Sequence, residues 1–152
     1  MRKGFTLVEI MIVVAIIAIL ATFALPGLLR SRVTANESAA IAGLRTIVTA
    51  MESWRAANGS YSGVTLNALG SATPPYIDKV LGCSNAPCNK TGYMFYNPNI
   101  ESSNHAYYAN AAPITVNVTG KRYFCVTEDG VIRYDSSAIG SHSDCLNATP
   151  IE

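Results

Sequence analysis

Apolar positions along the chain follow two unlike patterns, joined near Arg30. From Ile10 to Leu29 the chain is an almost unbroken apolar run, and no charged side chain stands between Glu9 and Arg30. Roughly 20 apolar residues of helix are enough to cross a hydrocarbon core of roughly 30 Å. Beyond Arg30 the pattern becomes periodic. Val33, Ala40, Leu44, Ile47, Met51 and Trp54 fall at spacings of seven, four, three, four and three, a single apolar stripe on a helix. Opposite it lie the small residues Ala35, Ser38, Ala39, Ala42, Gly43, Thr46, Thr49, Ala50 and Ser53. A small face allows close helix approach, so two uses are open for it, packing on other subunits or simple solvation. Asn58-Gly59 supplies the stop. A helix from Phe5 to Ala57 would be roughly 80 Å long at about 1.5 Å per residue.

After Gly59 the pattern shortens. Residues 68–81 predict a short helix ended near Gly82 and broken by Pro74-Pro75. Tyr93 to Tyr96, His105 to Ala109, Ile114 to Val118, Arg122 to Thr127 and Val131 to Tyr134 read as strands. The strongest hairpin signal is Glu128-Asp129-Gly130, where Asp-Gly suits a tight turn between two β-rich runs. The expected class is α+β: a long N-terminal helix whose second half packs on an antiparallel sheet. Composition agrees with one such domain on a stalk, since of 152 residues 49% are hydrophobic and 14% charged, with the apolar excess in the N-terminal helix.

The details ahead of the apolar run separate three readings of it. A secretory signal peptide needs a small-residue cleavage site after its core, and Ala-Leu-Pro-Gly-Leu-Leu-Arg is a poor one. A plain membrane anchor explains Arg2 and Lys3 on the cytoplasmic side but gives no reason for the acid at Glu9. The motif Lys3-Gly4-Phe5-Thr6-Leu7-Val8-Glu9, followed by the apolar run, resembles the class III signal of type IV pilins and type II secretion pseudopilins. In that family a membrane peptidase cuts after the glycine and methylates the new N-terminal residue. The resemblance therefore implies a leader at 1–4, cleavage between Gly4 and Phe5, and N-methylation of Phe5. It implies a transmembrane and assembly helix at 5–29, an amphipathic continuation at 30–58, and a globular head at 59–152 with an αβ-loop, the sheet and a C-terminal loop bracketed by cysteines. Ala57-Asn58-Gly59-Ser60-Tyr61 adds a weaker likeness, to the Asn-Gly-x-Tyr turn after the long helix of many pilins and of the major pseudopilin.

Glu9 makes physical sense within this frame. A carboxylate near the hydrocarbon region costs on the order of 3 kcal/mol, so it calls for a partner, and cleavage at Gly4 creates an amine at Phe5 about one helical turn away. The family implies that Glu9 of an incoming subunit pairs with the terminal amine of a neighbour, which would set axial register because any other stagger leaves a charge unpaired. A snorkelling acid at a helix end is the plainer alternative. Pro26 and Gly27 interrupt the helix, since proline removes a donor and clashes with the preceding turn. Either the helix extends or unwinds here as it moves from bilayer to filament, or it simply bends at the membrane exit.

Four cysteines in a chain whose head lies outside the cytoplasm imply disulfides. Three pairings are arithmetically open. Cys83 with Cys88 and Cys125 with Cys145 is the favoured set, because each closes a local loop and leaves the hairpin undisturbed; the second also resembles the C-terminal bracket of many type IV pilins. Spacings of four and nineteen intervening residues without a paired histidine speak against zinc, and no metal or cofactor is expected. Asp129, Asp135 and Asp144 are candidates for a cation, as acidic loops hold calcium in the major pseudopilins, although a turn explains Asp129 and a strand end explains Asp135.

No Gly-x-Ser-x-Gly, P-loop or dinucleotide fingerprint is present, and His105 and His142 stand alone in polar loops. No catalytic residue is assigned. Counting 11 basic against 10 acidic side chains gives +1, and loss of Arg2 and Lys3 leaves −1, so no strong electrostatic grip on nucleic acid is expected. Lys121 and Arg122 would offer weak contacts at most, as in some pilins, and a solvated strand end explains them. The sequence thus reads as a structural subunit of a type IV pilus serving adhesion, twitching motility or DNA uptake, matured in the inner membrane and then extracellular. The resemblance implies as partners other pilin subunits, a prepilin peptidase, a platform protein with its cytoplasmic ATPase, and a secretin. The alternatives are a minor pilin or a pseudopilin of a periplasmic pseudopilus, and a membrane-anchored binding protein using Tyr93, Phe95, Tyr96, Tyr107 and Tyr108, which suit strand core equally.

Overall fold

A computed structural model describes residues 4–101, 103 and 105–151, with backbone alone at 24–26. The described residues form two compact units divided between Arg32 and Val33. Helix α1 (Leu7–Asn58) runs through both. Its start is a reciprocal capping box: the Thr6 hydroxyl accepts the Glu9 N–H at 3.3 Å, and the Glu9 carboxylate accepts the Thr6 N–H at 3.1 Å. Its end is a left-handed cap at Gly59 (φ 78°), whose N–H donates to the Arg55 carbonyl at 2.7 Å.

No single helix among the described residues is long and apolar enough to cross a membrane. The segments Leu7–Phe23 and Gly27–Asn58, which meet at a bend, pass that test together by length and composition. Pro26 lies in the interval between them, and its side chain is outside the described residues, as are Met1 to Lys3 of the expected leader.

In the second unit the apolar stripe is the core contact of α1. Ala40, Leu44, Ile47 and Met51 are buried, and Val33 and Trp54 half-buried at its ends. The small face needs correction at two positions. Gly43 and Ala50 are buried with the stripe rather than exposed with Ala35, Ser38, Ala42, Thr46, Thr49 and Ser53. Gly43 serves close approach within the head: a Cβ there would lie 2.6 Å from Cζ of Phe95.

The sheet follows as β1 (Cys88–Lys90), β2 (Tyr93–Phe95), β3 (Asn99–Ile100), β4 (Tyr107–Pro113), β5 (Tyr123–Thr127), β6 (Ile132–Asp135) and β7 (Thr149–Pro150), with α2 (Leu66–Ser71) before it and α3 (His142–Asn147) before β7. Every pairing is antiparallel, in the order β1-β2-β4-β5-β6-β7, while β3 pairs with β4. β2 and β3 share one edge of β4 in tandem: Tyr93 to Phe95 face Pro113 to Ala111, and Asn99 and Ile100 face Tyr108 and Tyr107. The Asp129-Gly130 hairpin forms, with Gly130 at φ 73° and Val126 opposite Ile132.

Two of the expected strands shift. The central strand is Tyr107–Pro113 rather than His105 to Ala109. Ile114 to Val118 is no strand: Thr119 closes a turn onto the Thr115 carbonyl, and Asn117 takes a left-handed φ of 65°. Strand alternation then divides the core. Phe124 and Val126 of β5 face α1 together with Phe95, Tyr93 and Tyr107, while Cys125 points to the other face and meets Ile139, Cys145 and Ala148. The C-terminal segment thereby covers the second face of the sheet.

Candidate functional site

The N-terminal stretch of α1 presents a contiguous apolar surface with nothing on it. Phe5 is 83% exposed, and every described apolar side chain from Leu7 to Leu29 is exposed. Such a surface in water costs about 25 cal/mol per Å² relative to burial, and a patch this continuous marks a site of interaction with membrane or protein. At its head Gly4 is open, with nothing within 4 Å of where a Cβ would lie. The Glu9 carboxylate is directed to the helix start: its Oε2 takes both the N–H and the hydroxyl of Thr6 at 3.1 Å. Its Oε1 has no protein partner among the described residues. The acid thus stabilises the first turn, where negative charge also complements the helix dipole.

The head is braced by polar contacts that periodicity did not reveal. Glu37 fills the gap of seven between Val33 and Ala40, so it sits on the apolar stripe itself. It is 7% exposed. Its Oε1 accepts the Lys121 N–H at 3.0 Å, and its Oε2 accepts Nε and Nη2 of Arg122 at 2.9 and 2.7 Å. The Arg122 guanidinium also lies over Phe124 and Tyr134, at 5.3 and 4.9 Å from the ring centroids. Arg122 is therefore committed to the fold, which corrects its reading as a solvated strand end. A charged residue at the missing position of the stripe was the signal available in the sequence.

The C-terminal loop is tied down by a disulfide and by side-chain hydrogen bonds. Cys125 and Cys145 are bonded, as are Cys83 and Cys88. Nε2 of His142 lies 2.9 Å from Oε2 of Glu128, which also accepts the Tyr107 N–H at 3.3 Å. Burial pushes the Glu128 carboxyl upward, but these contacts outweigh it and hold it below the usual range. Tyr108 donates to the Gly140 carbonyl at 2.6 Å. His142 is thus a structural contact, whereas His105 remains exposed.

The three aspartates do not converge. Asp129 accepts from Arg133 at 2.6 Å, from the Thr127 hydroxyl at 2.7 Å and from the Val131 N–H at 2.9 Å. Burial would raise its carboxyl, yet these donors lower it to about 2. Asp135 accepts from Ser137, and only Asp135 and Asp144 line a common cleft. Among the described residues no group of three His, Cys, Asp or Glu side chains is arranged to hold a metal. Of the five aromatics weighed as a binding patch, Tyr93, Phe95 and Tyr107 are core, and burial raises both tyrosine hydroxyls well above their usual range. Tyr96 remains exposed and Tyr108 shows an edge.

Comparison with known proteins bears on the same N-terminal segment. Residues 1–25 match the family described as the prokaryotic N-terminal methylation motif. The chain is 43% identical over 75 residues to the type IV wide pilus major component PilA4 of Thermus thermophilus, covering 48% of this chain and 57% of that protein. It is 40% identical over 71 residues to the type IV major pilin protein PilA of Myxococcus xanthus (47% and 32%), and 38% identical over 63 residues to the type II secretion system core protein G of Vibrio cholerae (40% and 43%). The chain thus spans about half the length of these relatives or less. A methylation motif ahead of an apolar helix and a head built as a helix on an antiparallel sheet agree with these likenesses to type IV pilins and to type II secretion core protein G.

Proposed function

We propose that the chain is a filament subunit of a type IV pilus, held in the inner membrane by residues 5–29 and then assembled through the same residues. The observation that carries this reading is the run of exposed apolar side chains described between Phe5 and Leu29, in a chain whose head has a buried core of its own. A surface that suits lipid before assembly suits neighbouring helices after it. Gly4-Phe5 is the cleavage and methylation point, and removal of the leader places a new amine near Glu9. The Oε1 that Thr6 leaves unused is the acceptor for a neighbour's amine, which fixes register; Pro26 and Gly27 are where the helix adjusts between bilayer and filament. The partners are other copies of the chain, a prepilin peptidase, a platform protein with its ATPase, and a secretin. The bonded Cys125–Cys145 bracket favours a pilus over a pseudopilus, while the likeness to core protein G keeps the pseudopilus as the second reading.

Intact mass of protein sheared from the cell surface tests the proposal. The expected species lacks Met1 to Gly4, carries a methyl on Phe5, and is four protons lighter before reduction than after because of its two disulfides. Processed protein confined to the membrane would favour the pseudopilus, and uncleaved protein would overturn both readings. Glu9→Ala should leave processing intact and abolish filaments; normal filaments from that variant would remove Glu9 from register selection.

A further inference from the structure

We infer that the turn at 114–120 docks the head on the surface of an anionic bilayer, an inference that rests on residues 5–29 being the membrane anchor. Ile114, Val116 and Val118 are 43%, 46% and 64% exposed. Three exposed branched side chains within five residues form a local concentration. The other large apolar side chains exposed among the described residues of the second unit, Val80, Tyr96, Val131 and Leu146, stand apart in sequence. Single exposed apolar residues need no explanation, whereas a cluster marks a surface of contact.

The backbone of this turn is bonded within the head, so the turn can leave water at little cost. The Thr115 carbonyl accepts the Val118 and Thr119 N–H groups at 3.1 and 2.9 Å, and the Asn117 N–H donates to the Gly120 carbonyl at 2.8 Å. The Thr119 hydroxyl accepts the Thr115 N–H at 3.0 Å. The Ile114 N–H donates to the Gly92 carbonyl at 3.0 Å, and Asn36 Nδ2 donates to the Thr119 carbonyl at 2.8 Å. Gly120 seats the turn, since a Cβ there would run into the Tyr93 hydroxyl. Asn36 also locates it. Asn36 is the fourth residue of the second unit and follows Leu29, the end of the apolar run, by seven residues. At no more than about 3.5 Å per residue, connectivity alone keeps the two within about 25 Å. The charge suits an anionic surface: no Asp or Glu stands between Glu101 and Glu128, Lys121 beside Gly120 is exposed, and Arg30 and Arg32 separate the apolar run from the head in sequence. A second copy of the turn would bring the same positive charge to the contact, which favours lipid over self-association.

The test is fluorescence quenching on the full chain reconstituted at low density in vesicles of phosphatidylethanolamine and phosphatidylglycerol. The native cysteines are all bonded, so Val118→Cys, Val131→Cys and Ile16→Cys each take an environment-sensitive dye at one position. Val131 is the control within the head: it follows Gly130, which lies against Val48, twelve residues along α1 from Asn36 and so about 18 Å farther along the helix. Ile16 reports the anchor. Lipids carrying a quencher near the headgroup should quench the dye at 118 severalfold more than the dye at 131, and lipids quenched deep in the acyl chain should quench the dye at 16. With the dye at 118, Ile114→Ser combined with Val116→Ser should shift docking toward the free turn roughly twentyfold, and Lys121→Gln about fivefold. These side chains are exposed, so the head stays folded. Equal quenching at 118 and 131, or quenching at 118 unchanged by these variants, would overturn the docking while the dye at 16 shows the anchor intact; an unquenched dye at 16 would overturn both readings. A dye at 118 shielded from aqueous acrylamide but not reached by lipid quenchers would overturn the lipid surface in favour of a second copy.

Discussion

The two ends of α1 are equally helical and solve opposite problems. Around Leu44, every large apolar side chain on one face is matched by the sheet, and even the acid on that face, Glu37, has three donors. Around Ile16, apolar side chains point in all directions and none is covered. Helix propensity alone does not distinguish them. The difference is periodicity: a stripe lets a helix be finished by its own chain, whereas an all-round apolar helix needs lipid or other helices. One chain therefore contains a completed interface and an open one.

The largest expected effect is the contrast in stability between these two segments. Leu44→Ala should destabilise the head by about 3–5 kcal/mol, because a fully buried leucine is lost and a cavity left behind. Ile16→Ala should change it by less than about 0.5 kcal/mol. Urea unfolding of the full chain in detergent, followed through its single tryptophan, Trp54, checks both. Equal effects would erase the distinction between completed and open interface. Next in size is the C-terminal bracket. Replacing Cys125 and Cys145 by Ser should cost about 3 kcal/mol for a closed loop of about 20 residues, read from the same unfolding curves with and without the Cys83–Cys88 bond.

What the sequence made legible was local. The stripe, the Gly59 cap, the Asp129-Gly130 hairpin and both disulfide pairs each rest on a short-range signal, and each is present. The shifts have a common cause. β4 reads Tyr-Tyr-Ala-Asn-Ala-Ala-Pro, poor in β-formers, and is a strand because β2, β3 and β5 pair with it. Ile114 to Val118 has the better β composition but lies outside that pairing, so its branched side chains remain exposed on a turn. β3 and β7, two residues each, are too short to show a period, and α3 is set by its Ser141 cap and the Cys145 bond. Glu37 shows locally only as a charge at the missing position of the stripe, and its donors on Lys121 and Arg122 come from a distant segment.

Glu37 sharpens the comparison from the polar side. Glu37→Gln keeps the shape but removes the charge that Arg122 faces, and should cost about 2 kcal/mol; a fully buried pair would cost about 3–5, reduced here because the Arg122 side chain is 39% exposed. Glu9→Gln, within its exposed capping box, should cost the chain less than about 1 kcal/mol in the same assay. If Glu9→Gln destabilised as much as Glu37→Gln, Glu9 would be a structural acid like its counterpart and its assignment to assembly would weaken.

The smallest effect expected is in the acid range and comes from the hairpin. Asp129 titrates at about 2 in the fold because Arg133, Thr127 and the Val131 N–H favour its charged form over the cost of burial, whereas an unfolded aspartate titrates near about 3.9. The folded value is the lower one, so the stabilisation is fully present above pH ~4 and disappears as pH falls through ~2. Its size should stay below about 1 kcal/mol, because the carboxylate is 35% exposed and solvent screens it. Glu128, also lowered, contributes with the same sign. Asp129→Asn should therefore flatten the stability profile between pH ~4 and ~2 while leaving the Leu44→Ala effect unchanged, since the hairpin and the helix stripe share no side-chain contact through Asp129. An unaltered profile in Asp129→Asn would transfer the acid sensitivity to Glu128 and its tie to His142, making the C-terminal loop the first part of the head to loosen.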